Sequence, residues 1–227
     1  DEGVVVHSLM FDEEFLPFPD ATFDLVTSSL SLHWVNDLPR AMKEIRRVLK
    51  PDGVFIGAML GGSTLTELRT ALVLGERERE GGVSPHVSPA VNVSDVGGLL
   101  HGFSLPTVDV DTITMEYSDA FMLMDELKGM GESNAAMGAR RLVSRDTFLA
   151  AAAVYHHQTH LDATASSPTA APPSSLAELP VPATFQVIYM IGWAPHESQQ
   201  TPDKRGSASK SLTELSISSH SAAEKSA

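Results

Sequence analysis

The 227-residue chain contains no cysteine. That absence excludes disulfides, thiolate zinc sites and a cysteine nucleophile, but leaves the compartment open, because reducing and oxidising spaces both permit it. Positive charge is also scarce. Lys and Arg number 16 against 29 Asp and Glu, a formal charge of −13, and no basic run is interleaved with aromatics, so a nucleic-acid partner is disfavoured. No apolar run approaches the roughly 20 residues of a membrane span, and no transmembrane segment is expected. No G-x-G follows any strand-like run; the nearest glycine pair, Gly61-Gly62, comes after the last parallel one. The chain starts at Asp1 and runs directly into VVVHSLMF, with no signal or transit segment in view, which reads as a fragment of a longer protein.

What is present suffices for one core. The hydrophobic content is 42%, and long polar stretches reduce the folding part to roughly 170 residues. Val4 to Met10 reads as a short strand leading into the polar turn DEEFLPFPD, and Phe23 to Leu30 as a second strand. Asn36 or Asp37 can cap a helix that buries Leu38, Ala41, Met42, Ile45, Val48 and Leu49 and turns Arg40, Lys43, Glu44, Arg46 and Arg47 to water. Pro51 is expected to stop it. Asp52-Gly53 then turns the chain into VFIGAML, an apolar run suited to a parallel strand covered on both faces. Together these predict a βαβ unit.

Further on, Thr64 and Glu67 have capping-box spacing before a helix that runs to Gly81. A loop with two Ser-Pro pairs, a short helix from Ser94 to His101, and a strand from Thr107 to Tyr117 whose alternation slips by one residue follow. The slip suits a bulge or an edge strand. Helices are expected over Asp119 to Lys128 and Arg145 to His157, and FQVIYMIGW as a final strand. The domain is placed at 1–161 plus 184–197, with a disordered Ala/Ser/Pro/Thr insertion at 162–183 and a flexible tail at 198–227.

The succession LPF turn, FDLV strand, LHW, helix, LKPDG and apolar strand resembles the second half of a class I S-adenosylmethionine-dependent methyltransferase. The stretches EREGGVSPHVSP at 78–89, GMGESNA at 129–135 and IGW followed by RGSA narrow the likeness to the methyltransferase-like assembly factors of mitochondrial respiratory complex I, a family described as protein-arginine hydroxylases. The resemblance implies an α/β, Rossmann-like fold, incomplete here because its first two strands and glycine-rich turn are absent, with a helical insertion and disordered segments. It also implies S-adenosylmethionine as cofactor and a complex I subunit as protein client. A mitochondrial, matrix-side location with peripheral inner-membrane association follows from the same likeness. Without the glycine-rich turn and the acidic residue that holds the ribose, this chain is expected to bind the cofactor weakly or not at all.

In open α/β sheets ligands bind outside the carboxyl ends of the strands. The resemblance sets Asp12 and Glu13 at the adenine end of the cofactor, and Ser29, Ser31, His33 and Trp34 at its methionine half. Trp34 also suits gap-filling between strand and helix, His33 a satisfied structural role and Asp12 a turn. Glu80, Gly81, Gly82, Ser84 and Pro85, with Glu132, Ser133 and Asn134, are candidates for a substrate loop. Arg140 and Arg141 suit solvation. His160, Asp162 and His196 make a poor iron set at the edge of the insertion, so no metal is expected. No catalytic residue is assigned. The same core residues also suit an ordinary methyltransferase of a small or carrier-bound acid, similar to the malonyl-carrier enzyme of biotin synthesis, or a non-catalytic assembly partner.

Overall fold

In the computed structural model of the chain, residues 3–88, 90–132, 143–166, 180–200 and 206 are described, the side chains of 160–166 excepted. Residues up to His196 form one compact unit; Glu197 to Ala227 form another, described only at 197–200 and 206. The first unit is built on a four-stranded mixed sheet. Its strands are β1 (Phe23–Ser29), β2 (Leu49–Leu60), β3 (Ser104–Tyr117) and β4 (Val181–Trp193), in spatial order β1-β2-β4-β3. β1 and β2 are parallel, with Leu25 opposite Val54 and Ser29 opposite Ala58. β4 runs antiparallel to both β2 and β3. The helices are α1 (Leu38–Val48), α2 (Thr66–Arg79), α3 (Val93–Leu99), α4 (Ala120–Gly129) and α5 (Arg145–Ser166).

The βαβ unit forms as its sequence dictates. Asp37 caps α1 by accepting from the Arg40 amide at 3.0 Å. The predicted apolar stripe is buried from Leu38 to Leu49, against Phe55 and Met59 of β2 and Ile188 and Met190 of β4. A second core joins α2, α4 and α5 through Leu68, Leu72, Leu123 and Tyr155. Gly75 is required where α2 meets α5. A Cβ there would lie 2.7 Å from the Ala151 amide nitrogen, closer than real contacts allow.

Several expectations are corrected. Val4 to Met10 forms no strand: these residues pair with nothing in the described sheet, and Met10 is fully exposed. β1 is consequently a sheet edge with Leu25 half exposed, the bare apolar edge its sequence suggests. Pro51 does not separate helix from strand, because β2 already begins at Leu49 and passes through Lys50-Pro51-Asp52. β2 is not covered evenly on both faces: Phe55 and Met59 are buried, but Ile56 is 45% exposed. Thr64 and Glu67 form no capping box. The Thr64 hydroxyl instead donates to the Gln186 carbonyl, and Glu67 accepts from Thr184, so both tie the start of α2 to β4. The β3 slip sits earlier than its alternation suggests, between Ser104 and Thr107, and the remaining register runs unbroken along this edge strand. α5 extends to Ser166, past the expected end at His157. Residues 167–179 and most of the 198–227 tail lie outside the described residues.

Nor do the charges of α1 simply face water. Arg47 donates to the carbonyls of Leu16 and Phe18 and to Asp20, while Glu44 accepts from the Leu16 amide. Arg40 donates to the Glu14 carbonyl and lies 3.7 Å from the centre of the Phe15 ring. Arg46 reaches the Gly102 carbonyl. Of the five charged residues expected in solvent, Lys43 is the one that, among the described residues, is simply exposed. This stitching matters because the 11–18 segment it holds is one wall of the site.

Candidate functional site

Two cavities open near the carboxyl ends of the parallel strands. The larger, of about 460 Å³, lies along β1 between that strand and the 11–18 segment. Its walls combine Phe11, Phe18, Phe23 and Leu25 with the polar groups of Glu13, Ser29 and Ser31. This is the size and mixture of a small-molecule site: a mainly apolar lining with a few placed polar groups. Phe18 meets Phe11 and Phe23 edge to face, at centroid distances of 5.5 and 4.9 Å, which rigidifies the apolar wall.

After β1 the chain kinks. Leu30 adopts φ +50, a left-handed conformation that costs a non-glycine residue about 1 kcal/mol. The Leu30 amide remains bonded to the Ala58 carbonyl, so the ladder holds this strained residue in place. The following 3-10 turn, Leu32–Trp34, buries Leu32 and directs its neighbours into the two cavities. The Ser31 hydroxyl donates to Glu13 at 3.1 Å, linking the strand end to the opposite wall. His33, with a side chain only 5% exposed, faces the second cavity and lies 3.0 Å from Glu132. Trp34 is 37% exposed and stacks at a tilt on His33. Asp12 is exposed and accepts from the Glu14 amide at 2.9 Å, a turn bond that occupies one carboxylate oxygen.

Of the candidate residues, then, Glu13, Ser29 and Ser31 line the larger cavity, and His33 and Glu132 line the smaller one. Asp12 and Trp34 line neither. Ser133, Asn134, Arg140 and Arg141 lie outside the described residues. The loop after α2 is anchored rather than open. Glu80 accepts from the Ser144 amide and the Thr147 hydroxyl, Gly81 turns the chain at φ +68, and Ser84 and His86 bind a carboxylate that sequence reasoning passed over. That carboxylate is Glu76, fully buried in the last turn of α2. It accepts from the Ser84 amide at 2.6 Å, the Ser84 hydroxyl at 2.7 Å and His86 Nε2 at 2.8 Å. Burial pushes the Glu76 carboxyl up, but the bonds from Ser84 and His86 outweigh it and hold the group below the usual carboxylate range. Gly82 and Pro85 complete the loop, which goes on to place Val87, Ser88 and Ala90 against the smaller cavity. Among the described residues no cluster of His, Asp and Glu has metal-ligand geometry.

A mixed sheet with a parallel βαβ unit, flanking helices and a pocket at the strand ends defines a Rossmann-like fold of the class I methyltransferase kind. The family model described as a methyltransferase domain matches residues 2–57, which contain that βαβ unit's first strand, its helix and most of its second strand. The likeness to that family model thus covers about a quarter of the chain, its βαβ core. A crystal structure of a Bacillus halodurans protein titled as a methyltransferase shares the fold, with a TM-score of 0.51 at 16% identity, over 84% of this chain and 78% of that one. Among curated relatives, the protein named arginine-hydroxylase NDUFAF5, mitochondrial, of Danio rerio is 53% identical over 210 residues, 92% of this chain and 61% of the relative. Its Homo sapiens counterpart is 55% identical over 92% of this chain and 56% of its own length. The chain thus spans somewhat over half the length of these relatives.

Proposed function

We propose that this chain acts as an arginine-modifying enzyme of the methyltransferase family in mitochondria, hydroxylating an arginine of a complex I subunit during assembly of that complex on the matrix side. The observation that carries this reading is the identity of 53 to 55% with proteins named mitochondrial arginine hydroxylases, maintained across 92% of the chain. Hydroxylation inserts one atom of dioxygen into an arginine C–H bond and reduces the other to water. It therefore requires two electrons and two protons from a reductant acting as co-substrate. Among the described residues no helix is long and apolar enough to cross a membrane.

S-adenosylmethionine is the cofactor we assign to the larger cavity. The fit rests on the apolar wall of Phe11, Phe18 and Phe23, suited to a purine with Glu13 beside it, and on Ser29 and Ser31 as polar partners for the methionine end. Asp12, which lies outside this cavity and is held in its turn bond, is not part of that fit. When bound, the cofactor supplies an activated methyl group or, without transfer, a cationic sulfonium beside the client. The protein's own residues bind and orient, and the Glu76-anchored loop borders the client side. The test is to incubate the protein with a client arginine peptide, S-adenosylmethionine, dioxygen and reductant, and to weigh the peptide. An added oxygen on arginine is expected. An added methyl would reassign the reaction to methyl transfer, and an unmodified peptide would overturn the catalytic reading.

A further inference from the structure

The smaller cavity carries an unusual concentration of unmet polar groups. Among the described residues, the buried side-chain nitrogen and oxygen atoms without any hydrogen-bond partner are Arg69 Nε, Arg69 Nη2, Ser88 Oγ and His33 Nδ1. All belong to residues lining this one cavity, whose remaining walls include Leu60 and Phe185. Each stranded donor costs about 1 to 3 kcal/mol, more where it is charged. Such groups elsewhere in folded proteins are nearly always satisfied, so three residues converging on one space call for a common partner.

The chemistry of that partner follows from which atoms are unmet. Nε–H and Nη2–H form one edge of the guanidinium, two parallel donors whose separation matches the two oxygens of a carboxylate. Ser88 adds a hydroxyl that can donate to the same group. His33 Nε2 lies 3.0 Å from Glu132, and the tautomer that donates there presents Nδ1 as an acceptor for a donor next to the carboxylate on the ligand. The space, about 30 Å³, admits a carboxylate-sized head and excludes a whole cofactor or a nucleotide phosphate chain. With a formal charge of −13, the chain offers an anion no general attraction, so recognition must be local.

We infer that Arg69 and Ser88, beside His33, form a carboxylate-binding subsite at the strand ends, where the consecutive residues Leu32 and His33 line the larger and the smaller cavity. Two sources present that group there: the methionine carboxylate of the cofactor, or a small acid substrate. The inference deepens the proposed function by placing a charged contact at its site, yet it is read by binding rather than turnover. A chain that binds carboxylates but leaves arginine unmodified would sink the reaction alone; the reverse result would sink the subsite alone.

The test uses the full chain labelled with nitrogen-15, following the arginine Nε–H resonances in solution. Arg69 is assigned by the loss of its signal in Arg69→Lys. Titrants are malonate, S-adenosylhomocysteine, 5′-methylthioadenosine, which lacks the amino acid portion, and inorganic phosphate at matched ionic strength. A saturable shift of the Arg69 signal is expected with malonate or S-adenosylhomocysteine, weakened about tenfold or more in Arg69→Lys, which keeps the charge but loses the fork. Its binding is followed by ligand-observed signals. Ser88→Ala should weaken it several-fold and serves as the second variant should Arg69→Lys fail to fold. A response to S-adenosylhomocysteine but not to methylthioadenosine or malonate assigns the carboxylate to the cofactor; a response to malonate alone assigns it to a substrate. The inference is overturned by no saturable shift with either carboxylate, by equal affinity for phosphate, or by unchanged binding in the variants.

Discussion

Glu76 offers the sharpest test of how the loop before the site is held. It is fully buried and accepts three hydrogen bonds from Ser84 and His86. In Glu76→Ala those donors lose their acceptor together. Hydrogen bonds to a charged group contribute about 1.5 to 3 kcal/mol each and do not add fully, so a net loss of about 3 kcal/mol is expected. For a chain of this size that lowers Tm by about 6 to 12 °C. Glu76→Gln keeps an acceptor for the Ser84 amide and His86, and its amide can face the Ser84 hydroxyl. Only the charge assistance is lost, so about 1 kcal/mol is expected. The pH dependence has a definite sign. Because the folded carboxyl titrates below its ordinary value, its stabilisation is fully present above the unfolded carboxylate range and disappears as pH falls through the lower, folded value. Urea unfolding followed by far-ultraviolet circular dichroism, repeated from pH 7 down to pH 3, should therefore show the parent and Glu76→Gln converging in acid. A Glu76→Ala variant as stable as the parent at pH 7, or a parent-to-Gln gap that widens in acid, would refute this account of the loop.

Other outcomes follow from separate contacts. Gly75→Ala should destabilise by about 1 to 3 kcal/mol in urea melts, although alanine favours helix by about 1 kcal/mol, because the new Cβ meets the α5 backbone at Ala151 rather than a yielding side chain. Gly192→Ala should behave similarly, with its Cβ 2.9 Å from Phe103 Cβ. Arg47→Ala should speed proteolytic cleavage within residues 11–20 several-fold while changing the melt of the sheet little, since Arg47 fastens that segment through Leu16, Phe18 and Asp20. Phe18→Ala should abolish any binding of an adenosine probe to the larger cavity, read by calorimetry, because it removes the ring that packs against both Phe11 and Phe23.

The division between what the residues disclosed and what they concealed has physical causes. The βαβ unit was legible because each local signal agreed: the Asp37 cap, the 3.6-residue stripe from Leu38 to Val48 and the apolar run of β2 all act within short range. The edges were less so. Val4 to Met10 has strand composition, but a strand exists only with a partner, and no propensity reveals whether one is there. Thr64 and Glu67 have capping spacing, yet β4, more than a hundred residues away, offers them stronger partners. The charges of α1 looked like a solvated face because their partner, the 14–20 segment, carries backbone carbonyls that composition does not mark.

The same reasoning explains why the site was read through serines and histidine while its buried charges were passed over. Periodicity alone could have flagged them. Arg69 follows Leu65 by four residues and precedes Leu72 by three, and Glu76 follows Leu72 by four, so both stand on the apolar side of α2. A charged residue on a buried face must be paired, neutralised or reserved for a ligand. Glu76 resolves the first way, through Ser84 and His86. Arg69, with two donors buried and unmatched, has no such resolution within the described residues, and the third remains. One helix therefore supplies both the anchor of the loop and the cation beside it. Because that loop also carries Ser88, loosening Glu76 should weaken carboxylate binding at Arg69 even though the two side chains point to different partners. Glu76→Gln binding malonate as tightly as the parent would separate the two roles.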